Sequence, residues 1–213
     1  MWLKGFIEMK SMLLALACIC SAGLAQAAVV NVDVTTPATG TWEVYTGAGP
    51  IGTNQFNEDG VVYTLEESQG VTVPVTLTTF GGTVPAGTVV DSTLVWVDPS
   101  VLMNTQATID FSSDIVGIIV GSVTLLLTDA LFGSDVVTYF YGAFTGLERI
   151  DSLFIVDENT ITINFWTDNP GDYIRVLTAT PIPVPAAGLM LLAGLGALGA
   201  MRRRSPKTAA LAA

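Results

Sequence analysis

A chain of 213 residues with 19 acidic residues, 8 basic ones and no histidine is long enough for one domain with its own core. The composition excludes Ser-His-Asp and Cys-His relays and histidine-held zinc; both cysteines, Cys18 and Cys20, sit near the N-terminus, and residues 28–180 contain no lysine, which removes disulfides and a Ser-Lys dyad from that stretch. Across residues 33–175, 18 carboxylates face only Arg149 and Arg175, so 2 minus 18 gives a net charge of −16; such a surface repels nucleic-acid phosphate and anionic lipid, and no nucleic-acid partner is expected.

In chain order, the first feature is MKSMLLALACICSAGLAQA at residues 9–27. Lys10 precedes an apolar run over 12–24, and the small residues Ala25 and Ala27 flank Gln26. That is the anatomy of a secretory signal peptide, so residues 1–27 are expected to be a leader. The preceding MWLKGFIE reads either as sequence upstream of a true initiator at Met9 or as a longer basic region, and both lead to export. Cys18 is a poor lipoprotein site, because Ala15 stands where leucine is usual and the apolar run continues past it.

Residues 28–180 alternate short β-branched runs with Gly, Asn, Asp and Pro punctuation, the pattern of an all-β domain. Strands are predicted at TWEVYT, VVYTLEE, VTVPVTLT, STLVWV, ATIDF, VGIIVGSVTLLL and VVTYF, with GAGPIGT and TFGGTVPAGT as surface loops and one helical turn at TDALFG. DSLFIV and TITINFW, joined by turn residues at 157–159, read as a hairpin. In its second strand Ile161, Ile163 and Phe165 fall on one face, and Thr162, Asn164 and Trp166 on the other. The turn TDNPGD then leads into the strand YIRVLT. No linker or repeat divides this stretch, so the expected fold is a single antiparallel β-sandwich, jelly-roll-like, held by core burial.

The chain then reads PIPVPAAGLMLLAGLGALGAMRRR. Residues 186–201 are 16 positions without charge, or 20 counted from Ile182. At about 1.5 Å per residue the shorter count spans roughly 24 Å against a hydrocarbon core of about 30 Å, so a transmembrane helix is expected over about 184–201. Arg202, Arg203 and Arg204 form a basic stop that keeps this end, with a tail over 205–213, in the cytoplasm, while Lys10 does the same at the other end. Pro181, Pro183 and Pro185 keep the approach extended, which is what a processing enzyme needs.

This segment, residues 181–204, resembles the PEP-CTERM sorting signals of Gram-negative bacteria, in the variant whose motif reads Val-Pro-Leu-Pro-Ala. The matching residues are Ile182, Pro183, Val184, Pro185 and Ala186, with Ile and Val where that family usually has Val and Leu, and with nine residues after the arginines where it generally stops sooner. The resemblance implies recognition by an exosortase, a membrane transpeptidase-like enzyme, and cleavage near the prolines; the competing reading is a plain single-pass anchor. The blocks YTLEESQGVTV, AGTVVDSTLVWVDPS, ATIDFSSDIVGIIV, LFGSDVVTYFYGAFTGLERIDS and NTITINFWTDNPGDYIRVLT, over residues 62–178, resemble an uncharacterised extracellular domain that recurs in PEP-CTERM proteins. Many relatives have histidine where this chain has Thr93, and the resemblance implies location and fold without an activity.

What chemistry remains rests on carboxylates, hydroxyls and two arginines. Glu66 with Glu67, Asp157 with Glu158, and Glu148 with Asp151 are adjacent acids of the kind glycoside hydrolysis uses at about 5–10 Å. Neighbours on a strand point to opposite faces, however, and chance pairs are expected among so many acids, so no catalytic site is expected. Candidate calcium ligands are Asn57 and Asp59 in FNEDG and Asp168 and Asp172 in TDNPGD, where hard oxygens gather around turns; ordinary turn chemistry accounts for the same residues. Arg175, inside a strand, is expected to pair with Asp151 or Asp172, against the competing reading of a grip on an acidic sugar. Trp42, Trp96 and Trp166 read as core or interface filling, or else as a glycan platform.

The expectation is therefore an exported, non-enzymatic surface or extracellular-matrix protein, anchored in the inner membrane as a precursor with its domain in the periplasm. Its expected partners are an exosortase-type enzyme, the membrane and exopolysaccharide. A calcium-dependent glycan-binding module or adhesin is the alternative, followed by a carboxylate-based polysaccharide hydrolase. Calcium is the one candidate cofactor.

Overall fold

Short runs of β-branched and aromatic residues broken by glycine and proline give many short strands, and that is what a computed structural model of the chain contains. It describes residues 28–142 and 145–181. The expected leader with Ala25 and Ala27, the motif Ile182 to Ala186, the 184–201 span and Arg202 to Arg204 lie outside the described residues. Among the described residues no helix is long and apolar enough to cross a membrane. Gln26–Pro181 forms one compact unit.

In chain order the elements are β1 (Val29–Thr36), β2 (Thr41–Val44), β3 (Pro50–Ile51), β4 (Val61–Glu66), β5 (Val71–Thr72), β6 (Leu77–Thr79) and β7 (Gly82–Val84). There follow β8 (Val89–Val97), β9 (Met103–Phe111), β10 (Ile115–Ile119), helix α1 (Ser122–Phe132), β11 (Thr138–Tyr139), β12 (Ser152–Ile155), β13 (Thr160–Thr167) and β14 (Asp172–Ala179). The two larger sheets have the orders β1-β9-β13-β12 and β10-β14-β8-β4-β2, the second with β5 added alongside β8, and β3 with β11 and β6 with β7 form two small two-stranded sheets. Most pairs are antiparallel, including the β12–β13 hairpin with Leu153 opposite Ile163. Two pairs, β2 with β4 and β3 with β11, are parallel, a departure from the wholly antiparallel arrangement expected.

The two sheets differ in their burial, and the sequence shows why. In the first sheet β13 alternates, with Ile161, Ile163 and Phe165 inward, and β9 does the same with Ala107, Ile109 and Phe111. These side chains meet Val62, Val95, Val97, Ile174 and Val176 of the second sheet in one apolar cluster. Strands β8 and β14 are buried at nearly every position, so both of their faces are covered. Their other face packs Leu94, Trp96, Tyr173 and Leu177 against Leu125 and Phe132 of α1. Each such aliphatic or aromatic side chain contributes about 1.5–3 kcal/mol on burial, which lets the domain hold together without disulfides.

Three local expectations are corrected. VGIIVGSVTLLL does not run on as a strand: β10 ends at Ile119, and SVTLLLTDALF forms α1, longer than the single turn expected. The reason is spacing, since Leu125, Thr128 and Phe132 recur at three and four residues and cover the sheet as one helical face. VTVPVTLT splits into β5 and β6 around Pro74, which has no N–H to give a ladder. GAGPIGT and TFGGTVPAGT are not purely surface loops, because β3 buries Ile51 and β7 buries Val84. Strand β1 is an addition to the expected set.

Candidate functional site

Polar side chains gather at two places, one inside the domain and one at its surface. The inner one is built on Arg175, which sits on β14 with no exposed surface, facing α1. Its Nε donates to Glu67 Oε2 at 2.6 Å, and its Nη2 donates to Glu67 Oε1 and Asp129 Oδ1 at 2.8 and 2.7 Å. Nη1 donates to the Leu125 carbonyl and the Thr128 hydroxyl at 3.2 and 2.7 Å. All five guanidinium donors are thus used. Ser92 Oγ donates to Glu67 Oε2 at 2.7 Å, and the Tyr139 ring lies 5.8 Å from the guanidinium carbon. Burial opposes the charge on Arg175, but Glu67 and Asp129 outweigh it and hold the guanidinium protonated. Burial also pushes the Asp129 carboxyl above its ordinary range, against the pull of Arg175.

This geometry corrects the expected partners of Arg175, which are Glu67 and Asp129 in place of Asp151 or Asp172. Strand alternation explains the error: Arg175 shares the face of Tyr173 and Leu177, while Asp172 belongs to the opposite parity. With every donor engaged and no exposed surface, Arg175 fastens α1 to the sheet and has nothing left to grip an acidic sugar.

The outer place is a polar pocket of about 240 Å³ where β13 passes into β14. It is lined by Glu148, Thr167, Asp168, Asn169 and Asp172, beside Trp166. Asp151 organises one wall: its Oδ2 accepts from the Glu148 N–H at 2.6 Å and its Oδ1 from the Trp166 N–H at 2.8 Å. Asp172 is only 3% exposed, and its Oδ2 has no hydrogen-bond partner. Burial, with the neighbouring charges of Asp151, Glu148 and Asp168, raises its pKa to about 8, against a smaller opposing effect of the Thr167 hydroxyl.

Asp168 and Asp172 are therefore brought together, while Asn57 and Asp59 are not among the lining residues. Asn57 has a left-handed backbone, φ 50°, and its Nδ2 donates to the Asn54 carbonyl. Asp59 Oδ1 accepts from both the N–H and hydroxyl of Ser100, at 2.9 and 3.0 Å. The same loop is fastened by Asp98, whose Oδ2 takes the Phe56 N–H and whose carbonyl takes the Glu58 N–H. Among the described residues no group of three or more His, Cys, Asp or Glu side chains forms a ready-made metal cage.

The remaining candidates are dispersed. Glu67 is engaged by Arg175, and Asp157 and Glu158 sit in the β12–β13 turn, where Asp157 Oδ1 accepts from the Asn159 N–H. Trp96 has no exposed surface, Trp42 donates to the Thr64 hydroxyl on the second sheet, and Trp166 lies on the first sheet at 47% exposure, so the three do not form one platform. The third candidate pair, Glu148 with Asp151, does meet at the pocket, where Asp151 is held by backbone N–H groups. Sequence reasoning misses Asp129 as an ion-pair partner; the lone cation in the apolar strand YIRVLT is the one signal that a buried acid must face it. No protein-family model, curated protein or solved structure matches the chain.

Proposed function

We propose that this chain is an exported, non-enzymatic surface or extracellular-matrix protein whose β-domain is delivered by a signal peptide and sorted through its C-terminal segment. The domain reads as a β-sandwich, since both sheets contribute to one apolar cluster. The sorting segment reads as the substrate of an exosortase-type enzyme acting near Pro183 and Pro185, with the apolar run and Arg202, Arg203 and Arg204 holding the precursor in the inner membrane. Release to the cell surface or an exopolysaccharide matrix follows from that cleavage.

The observation that carries the reading is where the last ladder of the described residues ends. β14 is laddered to Ala179, and the Thr180 hydroxyl still donates to Asp91 Oδ1 at 2.7 Å. The proline-rich motif begins at Pro181, immediately afterwards. A processing enzyme needs an extended peptide clear of the ladder, and a run with proline at every second position cannot pair as an interior strand.

Intact-mass spectrometry of the protein from native cells and from their culture medium tests this. The expected mass lacks residues 1–27 and those beyond about Pro185. A mass that retains Arg204 in both fractions would show the segment to be an anchor alone.

A further inference from the structure

We propose that the pocket between β13 and β14 binds one divalent cation of the calcium class, held directly by Asp168 and Asp172 and otherwise by retained water. Such a site is independent of how the C-terminal segment is sorted. Three carboxylates, Glu148, Asp168 and Asp172, line this space, and no lysine, arginine or histidine does. One of them, Asp172, is nearly all buried yet leaves Oδ2 without a donor. An unpaired buried carboxylate oxygen among other acids is unfavourable by itself, and a cation is the ligand that relieves both the missing partner and the mutual repulsion.

The pocket's character selects among cations and their competitors. Its exposed lining is mostly polar and acidic, with Trp166 and Pro170 at its edge. About 240 Å³ leaves ample room for several waters around an ion. With only two carboxylates holding it directly, the ion keeps part of its water shell. Hard cations accept that arrangement, and calcium tolerates irregular oxygen geometry better than magnesium does. Asp151 is a positioning residue here, because both its oxygens are occupied by the N–H groups of Glu148 and Trp166. It ties the segment around Glu148 to the end of β13, beside the turn that carries Asp168 and Asp172.

The test uses the full chain purified in detergent, stripped with EDTA, and titrated calorimetrically with calcium chloride and separately with magnesium chloride. The expected result is one saturable calcium site in the ~0.1–1 mM range typical of extracellular modules, with a calcium-dependent rise in melting temperature. Asp168→Asn, at an exposed position, is expected to weaken calcium binding at least about tenfold, while Asp59→Asn leaves it unchanged. Absence of both heat and melting shift up to about 10 mM calcium overturns the proposal. So does equal binding by wild type and Asp168→Asn. Loss of binding in Asp59→Asn alone would move the ion to the loop at residues 56–60, and a site that takes magnesium and ignores calcium would refute the assigned class.

Discussion

Arg175 and Glu67, 108 positions apart in the chain, form a two-pronged ion pair at 2.6 and 2.8 Å with both side chains wholly buried. A pair removed from water in this way is sensitive to the loss of one partner, because the survivor remains buried with its charge uncompensated. Arg175→Met is expected to lower unfolding free energy by about 3–5 kcal/mol. Replacing Glu67 by Met in the same chain is expected to restore much of that loss, since the remaining acid, Asp129, is partly exposed and can be hydrated. Urea denaturation of both single variants and the double measures the coupling; a single Arg175→Met within about 1 kcal/mol of wild type would dismiss the pair as a fastening.

The Trp96 ring lies between Tyr63 and Tyr173, stacked at 5.2 and 6.0 Å, with Phe56 and Tyr45 against it at 5.3 and 5.7 Å. Trp96→Ala is expected to cost about 3–5 kcal/mol by opening a cavity at the centre of this cluster. Trp96→Phe keeps most of the contact and also removes an indole N–H that has no partner, so its cost is expected to stay below about 2 kcal/mol. Chemical denaturation followed by far-ultraviolet circular dichroism would rank them, and equal losses would mean that ring stacking contributes little.

The parts of this fold that are legible in the sequence are those with a local period. TITINFW alternates cleanly and forms β13 with its apolar residues inward. STLVWV and YIRVLT, buried on both faces, read as strands from β-branched content alone. Helix α1 is hidden because Val123, Leu126 and Leu127 are exposed apolar residues that mask the period set by Leu125, Thr128 and Phe132. The ion pair is hidden for a different reason: strand parity tells which face Arg175 takes, but only tertiary packing brings Glu67 and Asp129 to it. In the pocket, the acids of TDNPGD are visible as a turn, whereas the burial of Asp172 and the approach of Glu148 arise from contacts between separate segments.

The turn at the pocket should be intolerant of any side chain at Gly171. Its φ of +87° is a conformation that L residues rarely adopt, and a Cβ there would stand 2.4 Å from the Val97 carbonyl oxygen. Relief requires moving the backbone, so Gly171→Ala is expected to destabilise the domain by at least about 1–3 kcal/mol. Gly70, with φ +62° and nothing within 4 Å of a built Cβ, is the control, and Gly70→Ala is expected to cost only about 1 kcal/mol. Thermal melts of the two variants side by side check this, and equal shifts would mean the close approach to Val97 yields easily.

Asp172 sets a pH dependence opposite in sign to that of a salt-bridged acid. Its pKa in the folded chain is raised from the ordinary 3.8 to about 8, so between those values the folded state holds a proton that the unfolded state has released. Stability therefore falls as pH rises through this window and levels off above about 8, where both states are ionised. Asp98 and Asp129, both raised chiefly by burial, add to the same slope. In EDTA, unfolding free energy is expected to drop by a few kcal/mol between about pH 5 and pH 8.5, because one proton held only by the folded chain is worth about 1.36 kcal/mol for each pH step of one. Asp172→Asn keeps the shape of the side chain without its charge, and it is expected to flatten most of the decline, leaving the smaller slope due to the other two acids. Urea denaturation at a series of pH values decides the matter: a wild-type curve that rises with pH, or a variant curve parallel to wild type, would show that Asp172 is ionised in the folded chain at neutral pH.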